Sequence, residues 1–171
     1  GLGRRRYGRP KLEGLLASAA QTNLDLAVMV ADLDHFKSIN DSFGYSAGDM
    51  VLGEVAARLK SNLRSSDLVA RIGGEEFLVV LPGIKQVDAE EAARRICGAI
   101  ADKGFNISGQ DVSLRATISI GLAMASDLAH QSVQQAKEPE ATAQLLEIAD
   151  RALYRAKSQG RNRVDLARPA A

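Results

Sequence analysis

Residues 68–81 read Leu68-Val69-Ala70-Arg71-Ile72-Gly73-Gly74-Glu75-Glu76-Phe77-Leu78-Val79-Val80-Leu81. Two runs of β-forming residues, 68–72 and 77–81, flank a polar segment with two glycines and two glutamates. This pattern is typical of a β-hairpin, because Gly-Gly accepts the positive φ that a tight turn needs. The pair Pro82-Gly83 then predicts the end of the second strand.

Further strands and helices are predicted on both sides of this hairpin. The apolar run 26–31 has the length and the two valines of a buried strand, and strict alternation over 114–122 predicts a half-buried strand. Residues 35–45 and 126–139 are polar and are interpreted as connections. The predicted fold is an α/β (α+β) sandwich with a mainly antiparallel central sheet and flanking helices. Apolar residues recur at helical spacing in 12–19, 52–63, 89–100 and 145–156.

The composition is that of one ordinary globular domain. Of the 171 residues, 46% are hydrophobic, 25% charged and 4% aromatic, which excludes a disordered or collagen-like chain. The single cysteine, Cys97, cannot close an intrachain disulfide, so a reducing compartment, the cytoplasm, is expected. The longest apolar run is too short to span a bilayer, and the Arg-rich start lacks the apolar core of a signal peptide.

The charge balance gives no reason to expect a nucleic-acid partner or direct membrane contact. The chain carries 22 Lys and Arg against 21 Asp and Glu, a formal net charge of +1. No global field therefore recruits DNA or an anionic bilayer. Any phosphate chemistry must depend on local groups.

Carboxylates at strand ends are the first candidates for chemistry. Asp32 and Asp34 follow the apolar run, where residues i and i+2 point to the same side and are expected to be reachable by solvent. Such a pair suits Mg²⁺, which takes carboxylate oxygens together with substrate phosphates. The alternative is that an aspartate here caps the following helix. The sequence has no phosphate-loop or zinc-protease motif, and its two histidines, His35 and His130, lie far apart.

The tip of the hairpin is a second candidate site. Glu75 and Glu76 repel each other on a tight turn unless a positive charge lies between them, and a metal ion would supply that charge. Gly73 and Gly74 would let a bulky ligand approach the backbone closely. The alternative is a solvated turn with surface acids.

A resemblance to a known family is carried by residues 32–41, 71–77 and 149–163. Together these three segments resemble the GGDEF family of diguanylate cyclases, in its GGEEF variant. The resemblance covers residues 1–164 and implies a fold similar to that of nucleotide cyclases and polymerase palm domains. It also implies that two GTP molecules condense into the bacterial second messenger cyclic di-GMP. Each 3′-hydroxyl would attack the α-phosphate of the other GTP, and two pyrophosphates would leave. The segments are Arg71-Ile72-Gly73-Gly74-Glu75-Glu76-Phe77, Asp32-Leu33-Asp34-His35-Phe36-Lys37-Ser38-Ile39-Asn40-Asp41 and Ala149-Asp150-Arg151-Ala152-Leu153-Tyr154-Arg155-Ala156-Lys157-Ser158-Gln159-Gly160-Arg161-Asn162-Arg163.

The resemblance assigns the acids to catalysis and metal binding. Asp32, Glu75 and Glu76 match the family's catalytic and metal-binding positions, and the Leu33 carbonyl is a further ligand, while Asp34 is left as a structural acid. Two Mg²⁺ ions per active site are implied, with Mn²⁺ as a substitute, as in two-metal phosphoryl transfer. Because each domain would hold one GTP, the catalytic unit is expected to be a homodimer.

The resemblance also assigns two residues to guanine recognition. Asn40 and Asp49 match these positions, and a carboxylate can accept hydrogen bonds from both N1–H and the exocyclic amine of this base. Asn40 has an alternative interpretation as a turn residue. Asp49 has one as a cap of the next helix, at capping-box spacing from Ser46.

Phosphate binding is the third implied role. Lys37, Lys157 and Arg161 match positions that contact the β- and γ-phosphates, and Gly73 and Gly74 would admit the substrate at the turn. Lys157 has an alternative role, because a cation at a helix C-terminus interacts favourably with the helix dipole.

A separate Arg-x-x-Asp pattern, Arg64 and Asp67, resembles the product-inhibition site of the family, with Arg95 as a secondary contact. There the arginine would bind a phosphate and a guanine of cyclic di-GMP, and the aspartate would meet a guanine edge. The alternative is an i, i+3 surface ion pair, worth about 0.2–0.5 kcal/mol.

Two positions depart from the family pattern. Arg4 stands where asparagine is usual, and Tyr45 stands where histidine is common. Neither change touches the acids, so an active cyclase is favoured over a non-catalytic receptor for GTP or cyclic di-GMP, and over a dimerisation module without a ligand. We expect residues 1–171 to form one domain of a longer multidomain signalling protein, whose other segments could tether it to a membrane.

Overall fold

The computed structural model describes residues 9–22, 24–109, 113–128 and 138–168. Arg4, where the sequence departs from the family pattern, lies outside them. The helices are α1 (Arg9–Thr22), α2 (Phe36–Phe43), α3 (Tyr45–Ser61), α4 (Gln86–Ala101) and α5 (Glu138–Ser158). The strands are β1 (Leu26–Leu33), β2 (Leu68–Arg71), β3 (Glu76–Pro82), β4 (Phe105–Asn106), β5 (Ser113–Leu114), β6 (Ile118–Met124) and β7 (Val164–Leu166). A 3-10 turn, Ala125–Leu128, follows β6.

The central sheet has five strands in the order β2-β3-β1-β6-β7. Strand β1 lies in the middle and pairs antiparallel with both β3 and β6, and β2 pairs antiparallel with β3. Among the described strands, the β6–β7 pair is the only parallel one. The prediction of a mainly antiparallel sheet with a β2–β3 hairpin is confirmed.

Helices cover both faces of this sheet. On one face, Met29 of β1 and Val79 of β3 belong to a core that also contains residues of α2, α3 and α4. On the other face, Val28 and Val80 pack in a second core with residues of α1 and α5. All eight residues of β1 are buried because helices cover it on both sides. None of the described helices is long and apolar enough to cross a membrane.

The prediction of one half-buried strand over 114–122 is wrong on two counts. The segment is interrupted at 115–117, so that β5 pairs with β4 in a small separate sheet and β6 begins at Ile118. All seven residues of β6 are buried. A Cβ on Gly121 would overlap the Ala149 carbonyl oxygen and the Leu153 nitrogen of α5. The small residues at alternate positions therefore mark close contact with a helix rather than exposure to water.

The polar segment after β1 contains a helix that the sequence interpretation missed. Helix α2 presents Phe36, Ile39 and Phe43 at i, i+3 and i+7, and these residues belong to or pack against the core. Helix α3 follows almost at once, with Gly44 at its N-cap position and no side-chain cap hydrogen bond. Asp49 thus lies inside α3, and the interpretation of Asp49 as a helix cap is wrong.

Candidate active site

The acidic end of β1 lies beside the hairpin loop. The strand register sets Asp32 opposite Glu76 of β3 and opposite Ser119 of β6. The backbone N–H of Leu33 donates to the carbonyl oxygen of Glu75 at 3.2 Å. Two acidic motifs that are more than 40 positions apart in the chain are therefore neighbours, because β1 and β3 pair directly.

The hairpin loop differs from the predicted tight turn. The Ile72 N–H donates to the Glu76 carbonyl oxygen at 2.9 Å, which leaves the three residues 73–75 as the loop. Neither Gly73 nor Gly74 has a positive φ. The expectation that Gly-Gly supplies the positive φ of a tight turn is therefore wrong.

The loop glycines make room rather than supply an unusual backbone angle. A Cβ on Gly73 would lie 3.1 Å from Oε2 and 3.3 Å from Cβ of Glu76, whereas a Cβ on Gly74 would have open space around it. The Arg71 guanidinium donates to the carbonyl oxygens of Gly73 and Gly74 at 2.7–3.2 Å. Arg71 therefore stabilises the loop, a role that the sequence interpretation missed.

Asp32 is a buried carboxylate with a nearby cation. Its side chain is 8% exposed, and its Oδ2 accepts a hydrogen bond from Nζ of Lys157 at 2.6 Å. Burial raises the pKa of Asp32; the Lys157 hydrogen bond and charge oppose this, and the charges of Glu76 and Asp34 add to it, so the net shift is upward. The expectation that both aspartates are reachable by solvent is wrong, since Asp34 is buried as well.

Asp34 holds three segments together. Its carboxylate accepts hydrogen bonds from Ser119 Oγ and Thr117 Oγ1, both at 2.7 Å, and from the backbone N–H of Asn162 at 3.0 Å. Helix α2 has His35 at its N-cap position and no side-chain cap hydrogen bond. Neither aspartate therefore caps the next helix, and the contacts of Asp34 fit a structural acid.

Two of the predicted phosphate-binding residues lie at the C-terminal end of α5 and in the link that follows it. Lys157 lies in the last turn of the helix and Arg161 follows it, exposed, in the link to β7. Gly160, Arg161 and Asn162 have φ values of 123°, 63° and 48°. Such values are rare for arginine and are typical of functional sites, where surrounding contacts enforce them. The Asn162 N–H donates to Asp34 and holds the link after α5 in this conformation. The C-terminal end of α5, with Lys157, therefore lies at the acidic end of β1, and Arg161 follows in the link.

The remaining predicted substrate residues lie on α2 and α3. Lys37 is exposed in the first turn of α2, and Asp49 is exposed on α3. Asn40 lies inside α2, so its interpretation as a turn residue is wrong. Its Oδ1 atom is buried and has no hydrogen-bond partner among the described residues. A buried acceptor without a hydrogen bond costs folding free energy. The burial of the Asn40 side-chain oxygen therefore needs an explanation.

Arg64, Asp67 and Arg95 line one pocket of about 440 Å³. Asp67 has a side chain only 2% exposed and accepts hydrogen bonds from the backbone N, Nε and Nη2 of Arg64 at 2.7, 3.2 and 2.9 Å. Arg64 Nη2 also donates to the Pro82 carbonyl oxygen, and Arg95 donates to the Asn62 carbonyl oxygen, each at 2.9 Å. The Arg64–Asp67 ion pair is therefore partly buried rather than a simple surface pair.

The acids near β1 offer only oxygen ligands, which suits Mg²⁺ or Mn²⁺. Within the described ranges, no three acidic, histidine or cysteine side chains converge closely enough to form a ready metal site. The Lys157 ammonium occupies the position of a cation on Asp32. The donor set fits a hard divalent ion, provided that Lys157 moves to a phosphate when substrate is bound.

This chain is similar in sequence to a family of known proteins. The sequence model of the family described as Diguanylate cyclase, GGDEF domain matches residues 1–163. The response regulator PleD of Caulobacter vibrioides is 39% identical over 164 residues, which are 96% of this chain and 34% of PleD. The chain thus spans about a third of the length of that relative.

Two solved structures share the fold. The GGDEF domain of YfiN from Pseudomonas aeruginosa matches with a TM-score of 0.83 and 36% identity, covering 96% of this chain and 89% of that one. The GGDEF domain of DgcB from Caulobacter crescentus, solved in complex with c-di-GMP, matches with a TM-score of 0.83 and 29% identity, covering 95% and 90% of the two chains.

Proposed function

The chain belongs to the diguanylate cyclase GGDEF family, and on that premise we propose that it condenses two GTP molecules into cyclic di-GMP. The observation that carries the proposal is the pairing of β1 with β3, with Asp32 opposite Glu76 and Leu33 bonded to Glu75. Metal-assisted phosphoryl transfer needs oxygen ligands for the metal ions, and the proposal is supported by a strand pairing that brings the backbones of these acidic residues next to each other.

The reaction forms two phosphodiester bonds. In each, the 3′-oxygen of one GTP attacks the α-phosphorus of the other and loses its proton, and the bond from that phosphorus to the bridging oxygen breaks. One pyrophosphate leaves at each step, so two are released for each cyclic di-GMP. One domain supplies one GTP, and the catalytic unit is therefore a homodimer with the two nucleotides facing each other.

The residues at the end of β1 would hold the metal ions. We assign this role to Asp32, Glu75 and Glu76 with the Leu33 carbonyl, for two Mg²⁺ or Mn²⁺ ions. When bound, such ions activate the attacking oxygen and offset the charge that develops on the leaving group. Burial disfavours a charged Asp32; the Lys157 ammonium opposes this effect, and the charges of Glu76 and Asp34 add to it. A divalent ion in place of the ammonium would favour the charged carboxylate more strongly.

The cations and the loop would position the triphosphate. Lys157 is already at the acids, and Arg161 and Lys37 are exposed and able to reach β- and γ-phosphates. The open space at Gly74 and the absent side chain at Gly73 leave the loop backbone accessible to the nucleotide.

Asn40 and Asp49 would read the guanine. Asn40 offers both a donor and an acceptor, and a carboxylate at Asp49 can accept from N1–H and the exocyclic amine together. Adenine lacks that pair of donors, so this assignment predicts selectivity for GTP over ATP.

The pocket at Arg64, Asp67 and Arg95 would bind the product and inhibit the enzyme. Its volume of about 440 Å³ and its two arginines suit a phosphate-bearing ligand. Because Arg64 already bonds to Asp67, a ligand that uses both side chains must compete with their ion pair.

The test is direct. The purified chain, at high concentration with GTP and Mg²⁺, is expected to yield cyclic di-GMP detectable by mass, with a specific rate that rises with protein concentration as a homodimer requires. Binding of GTP or cyclic di-GMP without product would favour the receptor alternative, and binding of neither would leave only a dimerisation module. A specific rate independent of concentration would contradict the obligatory dimer. Cytoplasmic location and a longer multidomain parent protein stay predictions.

A further inference from the structure

Gly48 is a buried glycine inside α3. Glycine is less favourable in a helix interior than any other residue except proline, and no positive φ explains its presence here. A Cβ at this position would overlap Oδ1 of Asn40, and it would lie 3.1 Å from Cγ of Asn40 and 3.2 Å from Cζ of Phe36. The missing side chain is therefore the space that the Asn40 amide fills.

The contact between Asn40 and Gly48 lies between two consecutive helices. Asn40 belongs to α2 and Gly48 to α3, and the Asn40 carbonyl oxygen accepts the Gly44 N–H at 2.8 Å where the two helices meet. The side-chain oxygen of Asn40 has no hydrogen-bond partner among the described residues. Since no hydrogen bond from a described residue holds Oδ1 against α3, we take its position to depend on the shape of the helix surface at Gly48.

We propose that Gly48 is a positioning residue for base recognition, which sets the distance between the Asn40 amide and the next residue of α3, Asp49. This inference rests on the proposed function, in which Asn40 and Asp49 read the guanine from two different helices. A methyl group at position 48 would push the Asn40 amide off α3 and spoil the joint contact with the base while leaving the phosphate-binding and acidic residues in place.

The chain offers a matched control in Gly53. It lies in the same helix, and a Cβ there would have nothing within 4 Å. Gly48→Ala and Gly53→Ala make the same chemical change and gain the same helix propensity, so a difference between them reports the contact with Asn40. Asn40→Ala removes the amide that the new methyl would overlap and leaves only the tight 3.2 Å approach to Phe36 Cζ. The double variant Asn40→Ala/Gly48→Ala completes a cycle.

The probe is 3′-deoxy-GTP, which lacks the attacking hydroxyl and cannot condense, and 3′-deoxy-ATP serves as the base control. By titration calorimetry with Mg²⁺, Gly48→Ala is expected to bind 3′-deoxy-GTP at least about fivefold more weakly than wild type, the scale of one lost hydrogen bond, and to discriminate less between the two bases. Gly53→Ala is expected to bind as wild type. The double variant is expected to bind no more weakly than Asn40→Ala alone.

Thermal unfolding without nucleotide gives a second measurement. Gly48→Ala is expected to have a lower Tm than Gly53→Ala, and the loss is expected to be reversed when Asn40→Ala is added. If Gly48→Ala matches Gly53→Ala in affinity, base discrimination and Tm, the inference is overturned. It is also overturned if the losses of Asn40→Ala and Gly48→Ala multiply in the double variant. If wild type neither binds 3′-deoxy-GTP nor makes cyclic di-GMP, the proposed function itself fails, which is a different result.

Discussion

The Nζ atom of Lys157 lies 2.6 Å from Oδ2 of Asp32, although the two residues are 125 positions apart in the chain. Asp32 is buried in the middle strand of the sheet, whereas the Lys157 side chain is 34% exposed at the end of the last helix. The carboxylate therefore has one removable partner, and water can take over the solvation of the ammonium when it leaves. This contact couples the stability of the fold to the proposed chemistry.

Asp32→Asn is expected to abolish cyclic di-GMP formation and to leave the Tm at pH 7 unchanged or raise it. The pKa of Asp32 is raised by burial, so between the ordinary carboxyl range and that raised value the folded state binds more protons than the unfolded state. Stability from this group falls as pH rises through that window. The Tm advantage of Asp32→Asn over wild type should grow as the pH rises above the ordinary carboxyl range, about pH 4.

Circular dichroism melts across this pH range measure the difference, and contributions from other groups cancel between the two proteins. Added Mg²⁺ with 3′-deoxy-GTP should raise the Tm of wild type more than that of the variant. A Tm advantage that shrinks with rising pH would contradict the assigned environment of Asp32.

Glu75→Ala is expected to reduce turnover by a factor of at least about 100, the scale on which electrostatic groups of an active site act. Glu75 lies in the hairpin loop beside β1, so the loss should appear in kcat rather than in the Tm. The control is Glu140→Ala, an exposed glutamate at the start of α5. Equal activity in the two variants would remove Glu75 from the catalytic set.

Arg64→Ala is expected to weaken inhibition by cyclic di-GMP about tenfold or more while initial turnover persists, because charge-assisted hydrogen bonds to phosphate are lost. Asp67 keeps the Arg64 backbone N–H as a donor, which preserves the loop. The control is Arg151→Ala, which breaks an i, i+4 pair with Glu147 on the exposed side of α5. Inhibition curves with added product decide the matter, and an unchanged inhibition constant would end the feedback assignment.

Arg58→Ala is expected to lower the Tm by roughly 5–10 °C, from a loss of about 2–4 kcal/mol. The buried guanidinium donates to carbonyl oxygens in the last turn of α4 and just after this helix. The acceptors are Ala99 and Ile100 in the helix and Lys103 and Gly104 beyond it. It also stacks 3.9 Å from the ring centre of Phe105. The control is Arg94→Ala, at an exposed position of α4, which should leave the Tm nearly unchanged.

Periodicity predicted the long elements well because their apolar residues face a core that no other part of the chain could fill. It failed where packing rather than exposure set the pattern: Gly121 has no side chain because α5 lies against its backbone, and the buried Ser119 bonds to Asp34. It also failed for α2, whose eight residues offer only three apolar positions.

The residues alone indicated two separate candidate metal sites, the strand-end aspartates and the hairpin glutamates, and only the family resemblance joined them into one site. Acids at a strand end and on a turn have ordinary structural explanations, and only the β1–β3 register brings them together. Two contacts depend on tertiary geometry that no local pattern contains: the bond of Lys157 to Asp32, and the bond of the Asn162 N–H to Asp34.

The missing carbon atom at Gly121 has a mechanical consequence. At Gly121 the backbone of β6 lies against the backbone of α5 at Ala149 and Leu153. No side chain of Gly121 separates the helix from the strand there, so a shift of the helix along the strand would cause backbone clashes. The helix and the sheet behave as one stiff unit at that point, and the root of the Lys157 side chain is only one helical turn beyond Leu153. The Lys157 side chain can change rotamer, but we expect its Cα to keep a constant distance from the acidic residues.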